Sequence, residues 1–347
     1  MSATEDPPAG ASWLSDRVGW TAIRRELSSH HAPLRSFFFY LGGITLFLLV
    51  LQVASGVLLL LYYRPDAAQA YASVERTVGE VPYGSLVHSL HLWASDLFVV
   101  CLLAHPFTIL VRRSFRPPHE LSWLSGVVSL GLGIGLAFTG ALLPWSEAAY
   151  TDARVGSELA RYVPVVGDGL SRFLRGGEEV TSTTLVRAFG FHVAVLPAAL
   201  TAVVAAHLFF VSRKPLLPPA RAKGEAIPLV PDFLVRLGVA LTAVLVLAMT
   251  LAIFAERPLG PPADPRLPSP ANARPPWYLL AVHQLVATAP KELLGVEAPR
   301  FFMSAACGIG LVVMSLPFLD RRGSKVTAWF AWVLLLAFSL LTVRALR

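Results

Sequence analysis

Seven stretches of this chain are apolar for long enough to cross a lipid bilayer, and nothing else in the sequence constrains its fold as strongly. Hydrocarbon about 30 Å thick is spanned by about 20 residues of α-helix, because backbone polar groups must be bonded within the segment. The candidate runs are 38–62, 87–111, 122–143, 190–211, 234–255, 300–318 and 326–345. Only 15% of the residues are charged, against roughly 25% in soluble domains, so these runs are expected to be membrane spans and not the core helices of a water-soluble fold. The expected fold class is an all-α integral membrane protein with seven transmembrane helices. The first run starts too far in for a cleaved signal peptide, and no small-residue cleavage site follows it. The polar residues 1–37 are expected at a membrane surface.

The net charge of +7 resides in loops, which argues for topology and against nucleic acid as a partner. Arg112, Arg113 and Arg116 follow the second run, Arg213 and Lys214 the fourth, and Arg321, Arg322 and Lys325 the sixth. The short loop after the first run holds only Arg64 and Arg76. Cations gathered at the even-numbered exits place those loops and the N-terminus in the cytoplasm. The two long connections, about 144–189 and 256–299, then lie outside, and loops of that length usually have a function. The inner segment RKPLLPPARAKGEAIPLVPD separates four runs from three, giving expected units at 1–37, 38–215 and 216–347. Cys101 and Cys307 both lie inside apolar runs and read as packing thiols, not a disulfide.

Two of the runs carry histidine at both ends: His91 and His105 in LHLWASDLFVVCLLAH, His192 and His207 in FHVAVLPAALTAVVAAH. Ionisable side chains within a span are costly and point to function by default. Fourteen residues of helix rise about 21 Å and make almost four whole turns, so His91 and His105 face one way at two depths. The 15-residue spacing of His192 and His207 adds about 100° of rotation. Both runs cross from outside to inside, which pairs His91 with His192 near the outer face and His105 with His207 near the inner face. Two imidazoles at one depth suit the axial positions of haem iron; zinc would want three or four ligands. Glycines repeat the period on the flanking runs: Gly42 and Gly56 on the first, Gly126 and Gly140 on the third. Glycine admits close approach of a bulky neighbour, although it also serves ordinary packing of membrane helices.

At this point the sequence resembles the cytochrome b subunit of quinol-oxidising bc-type complexes. It is most similar to the cytochrome b6 branch with subunit IV fused behind it. The resemblance rests on FYLGGITL, QVASG, YYRPD, LPWSEAAY, VPVVGDGL, LRGGEEV, TLVRAFGFH, GPPADP, PPWY and KELLGV, in that order. It implies a four-helix bundle holding two non-covalent b haems, a lower-potential outer one and a higher-potential inner one. It further implies a quinol oxidation pocket at the outer face, around Pro275, Pro276, Trp277, Tyr278 and Trp145, and a quinone site near the inner face. The chain would be the redox subunit of a quinol:cytochrome c (or other acceptor) oxidoreductase that translocates protons. Implied partners are a Rieske iron–sulfur protein, a c-type cytochrome and a second copy of the complex, in a bacterial cytoplasmic membrane. Arg187 matches an arginine of the family and is expected to contact a haem.

Three departures stand out. The b6 branch attaches an extra haem to a cysteine just before LGG, and Tyr40 occupies that place, so no covalent haem is expected. The arginines that flank the first histidine in plastid proteins are replaced by His88 and Leu92 in VHSLHLW. The family's Pro-Glu-Trp-Tyr reads Pro-Pro-Trp-Tyr, and Pro276 has neither an ionisable group nor an N–H. Either the pocket is inactive or altered in substrate, or another base serves it. His283, seven residues on, has an ordinary imidazole pKa of about 6.5 that suits the task. Glu147, two residues after Trp145, is a second candidate, though a solvated surface glutamate is the reading its sequence favours. Two other functions remain open: a di-haem anchor that passes electrons without Rieske-dependent quinol oxidation, and a transporter using intramembrane histidines as proton relays.

Overall fold

The structure, a computed structural model, describes residues 31–33, 40–213, 226–266, 274–293, 295–322 and 324–346. The N-terminal segment apart from 31–33, Lys214 and the expected boundary at 215/216 lie outside the described residues. The fold is all-α. Its membrane helices are α1 (Leu41–Leu60), α3 (Gly84–Arg112), α4 (Glu120–Ala141), α7 (Ser182–Ser212), α8 (Leu234–Phe254), α10 (Ala298–Leu319) and α11 (Lys325–Leu346). All seven expected spans are present. Between them run the short α2 (Ala70–Gly79), α5 (Glu147–Arg161), α6 (Gly167–Arg175) and α9 (Leu280–Ala287). Two antiparallel clasps, His31–Pro33 with Ala226–Pro228 and Glu292–Leu293 with Val296–Glu297, are too short to make a sheet.

Two helix ends depart from the apolar boundaries because backbone signals, not hydropathy, set them. Helix α3 begins at Gly84 after Tyr83 turns into the left-handed region at φ 62°, and a Cβ on Gly84 would lie 1.8 Å from the Thr77 carbonyl oxygen. Helix α7 begins at Ser182, eight residues before the apolar run, because Thr181 and Thr184 form a capping box. Within α7, Phe191–Val195 widens to a π-helical turn around His192. Pro197 lies just beyond and has no N–H to return to the carbonyl four residues back, a local cause for the altered hydrogen-bond pattern.

Helices α1, α3, α4 and α7 form a bundle in which α1 packs on α3, α4 on α7, and α3 on α4. Helix α8 covers α3 and α1, α11 also touches α3, α10 leans on α4, and α9 wedges against α10 and α11. The main core joins Ile44, Leu48, Ala94, Phe98, Val99, Leu102 and Leu200, with Tyr278 from the last long loop. The opposite helix faces remain apolar and exposed, as at Val57, Val239 and Leu336, which suits helices bathed in lipid. At one end of the bundle Arg116 donates to the Arg322 carbonyl at 3.1 Å, joining two of the basic loops. At the other end the Glu147 N–H donates to the Pro261 carbonyl at 2.9 Å, and the Ala263 N–H to the Trp145 carbonyl at 3.1 Å. Tyr71 donates to the Gly260 carbonyl at 2.7 Å. The LPWSE and GPPADP motifs, more than a hundred residues apart, are thereby knitted into one surface.

Candidate functional site

The four span histidines meet in two pairs across the bundle. The His91 and His192 rings lie 6.3 Å apart, centroid to centroid, in an edge-to-face arrangement. His105 and His207 lie on the same two helices, toward their other ends. Among the described residues no group of three or more metal-ligating side chains converges.

Each histidine is backed by one of the four periodic glycines. A Cβ on Gly56 would lie 3.2 Å from His91 Cε1, and one on Gly42 3.3 Å from His105 Cε1. On the other side of the bundle, a Cβ on Gly126 would lie 3.3 Å from His207 Cε1 and one on Gly140 2.6 Å from His192 Cε1. What the glycines admit directly is therefore the imidazole itself.

A hydroxyl precedes three of these glycines in the sequence, as Ser55-Gly56, Ser125-Gly126 and Thr139-Gly140. Ser55 Oγ stands 2.9 Å from His91 Nδ1, and Ser125 Oγ 3.0 Å from His207 Nδ1. Both serines already donate to the carbonyl one turn back, at 2.7 Å in each case. The imidazole Nδ1–H must then be the donor, which leaves Nε2 with a free lone pair. His192 Nδ1 reaches the Leu136 carbonyl at 3.0 Å with the same consequence. At the fourth position Leu41 precedes Gly42, and His105 Nδ1 is buried without a hydrogen-bond partner.

Arg187 sits five residues before His192. Its guanidinium donates to the Phe173 carbonyl and lies 5.3 Å from that ring's centroid. Together with Thr139 and Phe138 it lines a cavity of about 20 Å³. Tyr40 stacks on Phe233 with centroids 5.1 Å apart.

The PPWY segment is drawn against α3. Pro275 and Tyr278 are buried, and Trp277 Nε1 donates to Asp96 Oδ1 at 2.9 Å. Asp96 also pairs with Arg257, whose guanidinium lies 3.9 Å from the Trp93 ring centroid. Trp93 in turn donates to the Ala255 carbonyl at 2.8 Å. Trp145 is buried with φ 50° and packs edge-to-face on Tyr150 at 5.5 Å. The Tyr278 hydroxyl is pushed above the ordinary tyrosine range, first by burial and then by the Asp152 and Asp96 carboxylates, so it stays protonated and can donate. Burial, and after it the Arg274 charge, lowers the pKa of His283. Its Nδ1 is buried without a partner. Glu147 is half-buried at the first turn of α5.

Asp96, Arg257 and Asp152 are absent from the sequence reading. Asp96 carried a usable signal, a carboxylate within an apolar run. Arg257 and Asp152 sit in polar loop sequence and carried none.

Known proteins resemble this chain over nearly its whole length. The family described as Cytochrome b/b6/petB matches residues 27–214, and that described as Cytochrome b(C-terminal)/b6/petD matches residues 262–346. The chain is 37% identical to the cytochrome bc complex cytochrome b subunit of Chlorobaculum thiosulfatiphilum, over 84% of its own length and 68% of that protein. It is 33% identical to the menaquinol:cytochrome c reductase cytochrome b subunit of Geobacillus thermodenitrificans, over 60% of this chain and 96% of that one. A chain of a hyperthermophilic respiratory Complex III superposes on it with a TM-score of 0.86 at 25% identity, covering 97% of this chain and 91% of that chain. The chain belongs to the cytochrome b/b6 family. It is a multi-pass membrane protein and a cytochrome b subunit of the bc/b6f type.

Proposed function

We propose that this subunit binds two b haems and oxidises quinol at the end of the bundle that carries the PPWY segment, within a proton-translocating bc-type complex. The observation that carries this reading is the repeated ligand unit: an imidazole with Nε2 free, Nδ1–H held at three of four positions, and a glycine behind the ring. The 6.3 Å between the His91 and His192 rings accommodates one metal ion with a bond of about 2 Å to each imidazole. His91 and His192 would hold the outer haem and His105 and His207 the inner one. Arg187 would contact the outer haem. When bound, the haems supply one-electron centres at two membrane depths, the outer at lower potential than the inner.

The chain's own residues do the rest. Ser55, Ser125 and the Leu136 carbonyl fix the imidazole tautomers and orientations. The Asp96–Trp277 bond and the Arg257 ion pair seat the PPWY turn beside α3. Tyr278 presents a hydroxyl that remains protonated, and Pro275, Pro276 and Trp145 form apolar walls. His283 and Glu147 stand as candidate proton-handling groups of this region. The cations gathered at Arg112, Arg116 and Arg322 support an orientation with that end of the bundle on the cytoplasmic side of a bacterial membrane and the LPWSE and GPPADP surface outside; the N-terminus and the quinone site would lie on the cytoplasmic side. A Rieske protein and a c-type cytochrome are the partners for that surface, in a complex that is a homodimer. Residues 38–215 would form the haem unit and 216–347 the unit completing the quinol pocket.

The test is a reduced-minus-oxidised spectrum of the purified chain, followed by quinol oxidation with and without the Rieske protein. Two b-type signals and Rieske-dependent turnover are expected. Two haems with Rieske-independent electron flow would make it a di-haem conduit, and no haem would remove the reading altogether.

A further inference from the structure

We propose that Leu41, standing where the other three ligand units carry a hydroxyl, withholds a hydrogen bond from His105 and thereby holds the inner haem at a higher potential than the outer one. The inference rests on the two-haem reading above and assigns what sets the direction of electron flow within it.

The four ligand units are built alike and can be compared atom by atom. A Cβ on Gly56, Gly126 or Gly42 would lie 3.2, 3.3 and 3.3 Å from Cε1 of the facing ring, and 3.9, 3.6 and 3.8 Å from its Nδ1. The residue before each glycine is therefore set alongside the Nδ1 edge of an imidazole. Before Gly56 and Gly126 that residue is a serine, whose oxygen stands 2.9 Å from His91 Nδ1 and 3.0 Å from His207 Nδ1. Before Gly140 it is Thr139, whose hydroxyl lies 3.4 Å from His192 Nδ1, with the Leu136 carbonyl nearer at 3.0 Å.

Before Gly42 it is Leu41, which is buried and has no polar side-chain atom. The groups that could replace a hydroxyl there are engaged elsewhere. The Leu41 carbonyl accepts from the Thr45 hydroxyl at 2.7 Å. Thr108, the hydroxyl closest to His105 along α3, donates to the His105 carbonyl at 2.7 Å. His105 Nδ1 is buried and has no hydrogen-bond partner among the described residues. The outer pair, His91 and His192, thus has both Nδ1 positions held, and the inner pair, His105 and His207, has one.

This asymmetry has an electrical consequence. An imidazole that donates its Nδ1–H to an acceptor carries more negative charge at Nε2 and is the more basic ligand. Ferric iron has the higher charge and gains more from a basic ligand than ferrous iron does, so each such bond lowers the potential of the centre it serves. One bond fewer at the inner level leaves that centre easier to reduce. The net contribution of a single hydrogen bond limits the effect to about two- to tenfold in the ratio of ferric to ferrous affinity. Tenfold corresponds to about 59 mV for one electron. In the transfer itself the outer centre loses one electron and the inner centre gains it. No bond forms or breaks, and the Nδ1 protons stay in place.

The experiment titrates the two b-haem absorbance signals against potential in the intact complex, with His207→Ala used to assign the inner signal. Leu41→Ser should lower the inner midpoint by up to about 59 mV, the tenfold limit, and leave the outer one in place. Leu41→Thr repeats the test with the side chain found at position 139. Leu41→Ala removes the same bulk without adding an acceptor and should leave both midpoints unchanged. Ser55→Ala should raise the outer midpoint and so narrow the gap from the other side. In Leu41→Ser, retention of ferric haem should strengthen more than retention of ferrous haem. The proposal is overturned if neither Leu41→Ser nor Leu41→Thr lowers the inner midpoint, if Leu41→Ala moves it as far, or if the wild-type inner haem proves to be the lower of the two. Each of those results leaves the two-haem reading standing; a complex without two b haems would remove that reading first and this assignment with it.

Discussion

Replacing Gly140 with alanine should displace the outer haem while sparing the inner one. A Cβ at Gly140 would lie 2.6 Å from His192 Cε1 and 3.0 Å from its Nδ1. The ring cannot yield easily, because Nδ1 is held by the Leu136 carbonyl. Overpacking of this kind costs about 1–3 kcal/mol, which corresponds to roughly 5- to 150-fold weaker retention of whatever the ring ligates. The three sister positions supply the control. At Gly42, Gly56 and Gly126 the added Cβ would stand 3.2–3.3 Å from the ring, a shift of a few tenths of an ångström. The helix propensity gained on exchanging glycine for alanine, about 1 kcal/mol, offsets much of that. Haem content per chain and reduced-minus-oxidised spectra of the four variants would be measured side by side. The expected order has Gly140→Ala losing the outer signal and the other three retaining both. Two full signals in Gly140→Ala, or an equal loss in Gly42→Ala, would refute the reasoning.

Three further outcomes are expected. His207→Ala should lose the inner haem and keep most of the outer one; an unchanged two-haem spectrum would show the pairing to be wrong. Ser125→Ala should weaken retention of the inner haem by about 10–100-fold, the usual effect of losing the partner of a ligating imidazole, whereas Leu41→Ser, which offers a hydroxyl beside the unpartnered His105 Nδ1, should strengthen it; opposite signs in a haem-extraction assay would defeat the argument. Haem staining after denaturing electrophoresis should leave the chain blank, because Tyr40 stands where a thioether would need cysteine; a stained band at 37.5 kDa would contradict this.

The seven spans and the depth of the four histidines were determined by the sequence alone. Both follow from local periodicity: about 20 apolar residues per crossing, and a 14-residue return to the same helix face. The glycine period was legible for the same reason. Helix ends were less so, since α3 starts at the left-handed Tyr83 and α7 at the Thr181 cap, signals weaker in the sequence than hydropathy. The partners of each ring were decided only by the tertiary structure. Ser55 and Ser125 are ordinary intrahelical hydroxyls until α1 lies beside α3 and α4 beside α7, and only then do they meet His91 and His207. Trp277, Asp96 and Arg257 are brought together from three distant segments. Such contacts depend on how whole helices pack, and no spacing within one segment encodes them. A carboxylate absent from position 276 was easy to see in the chain. That Asp96 on α3 bonds the neighbouring Trp277 became visible only when the helices were assembled.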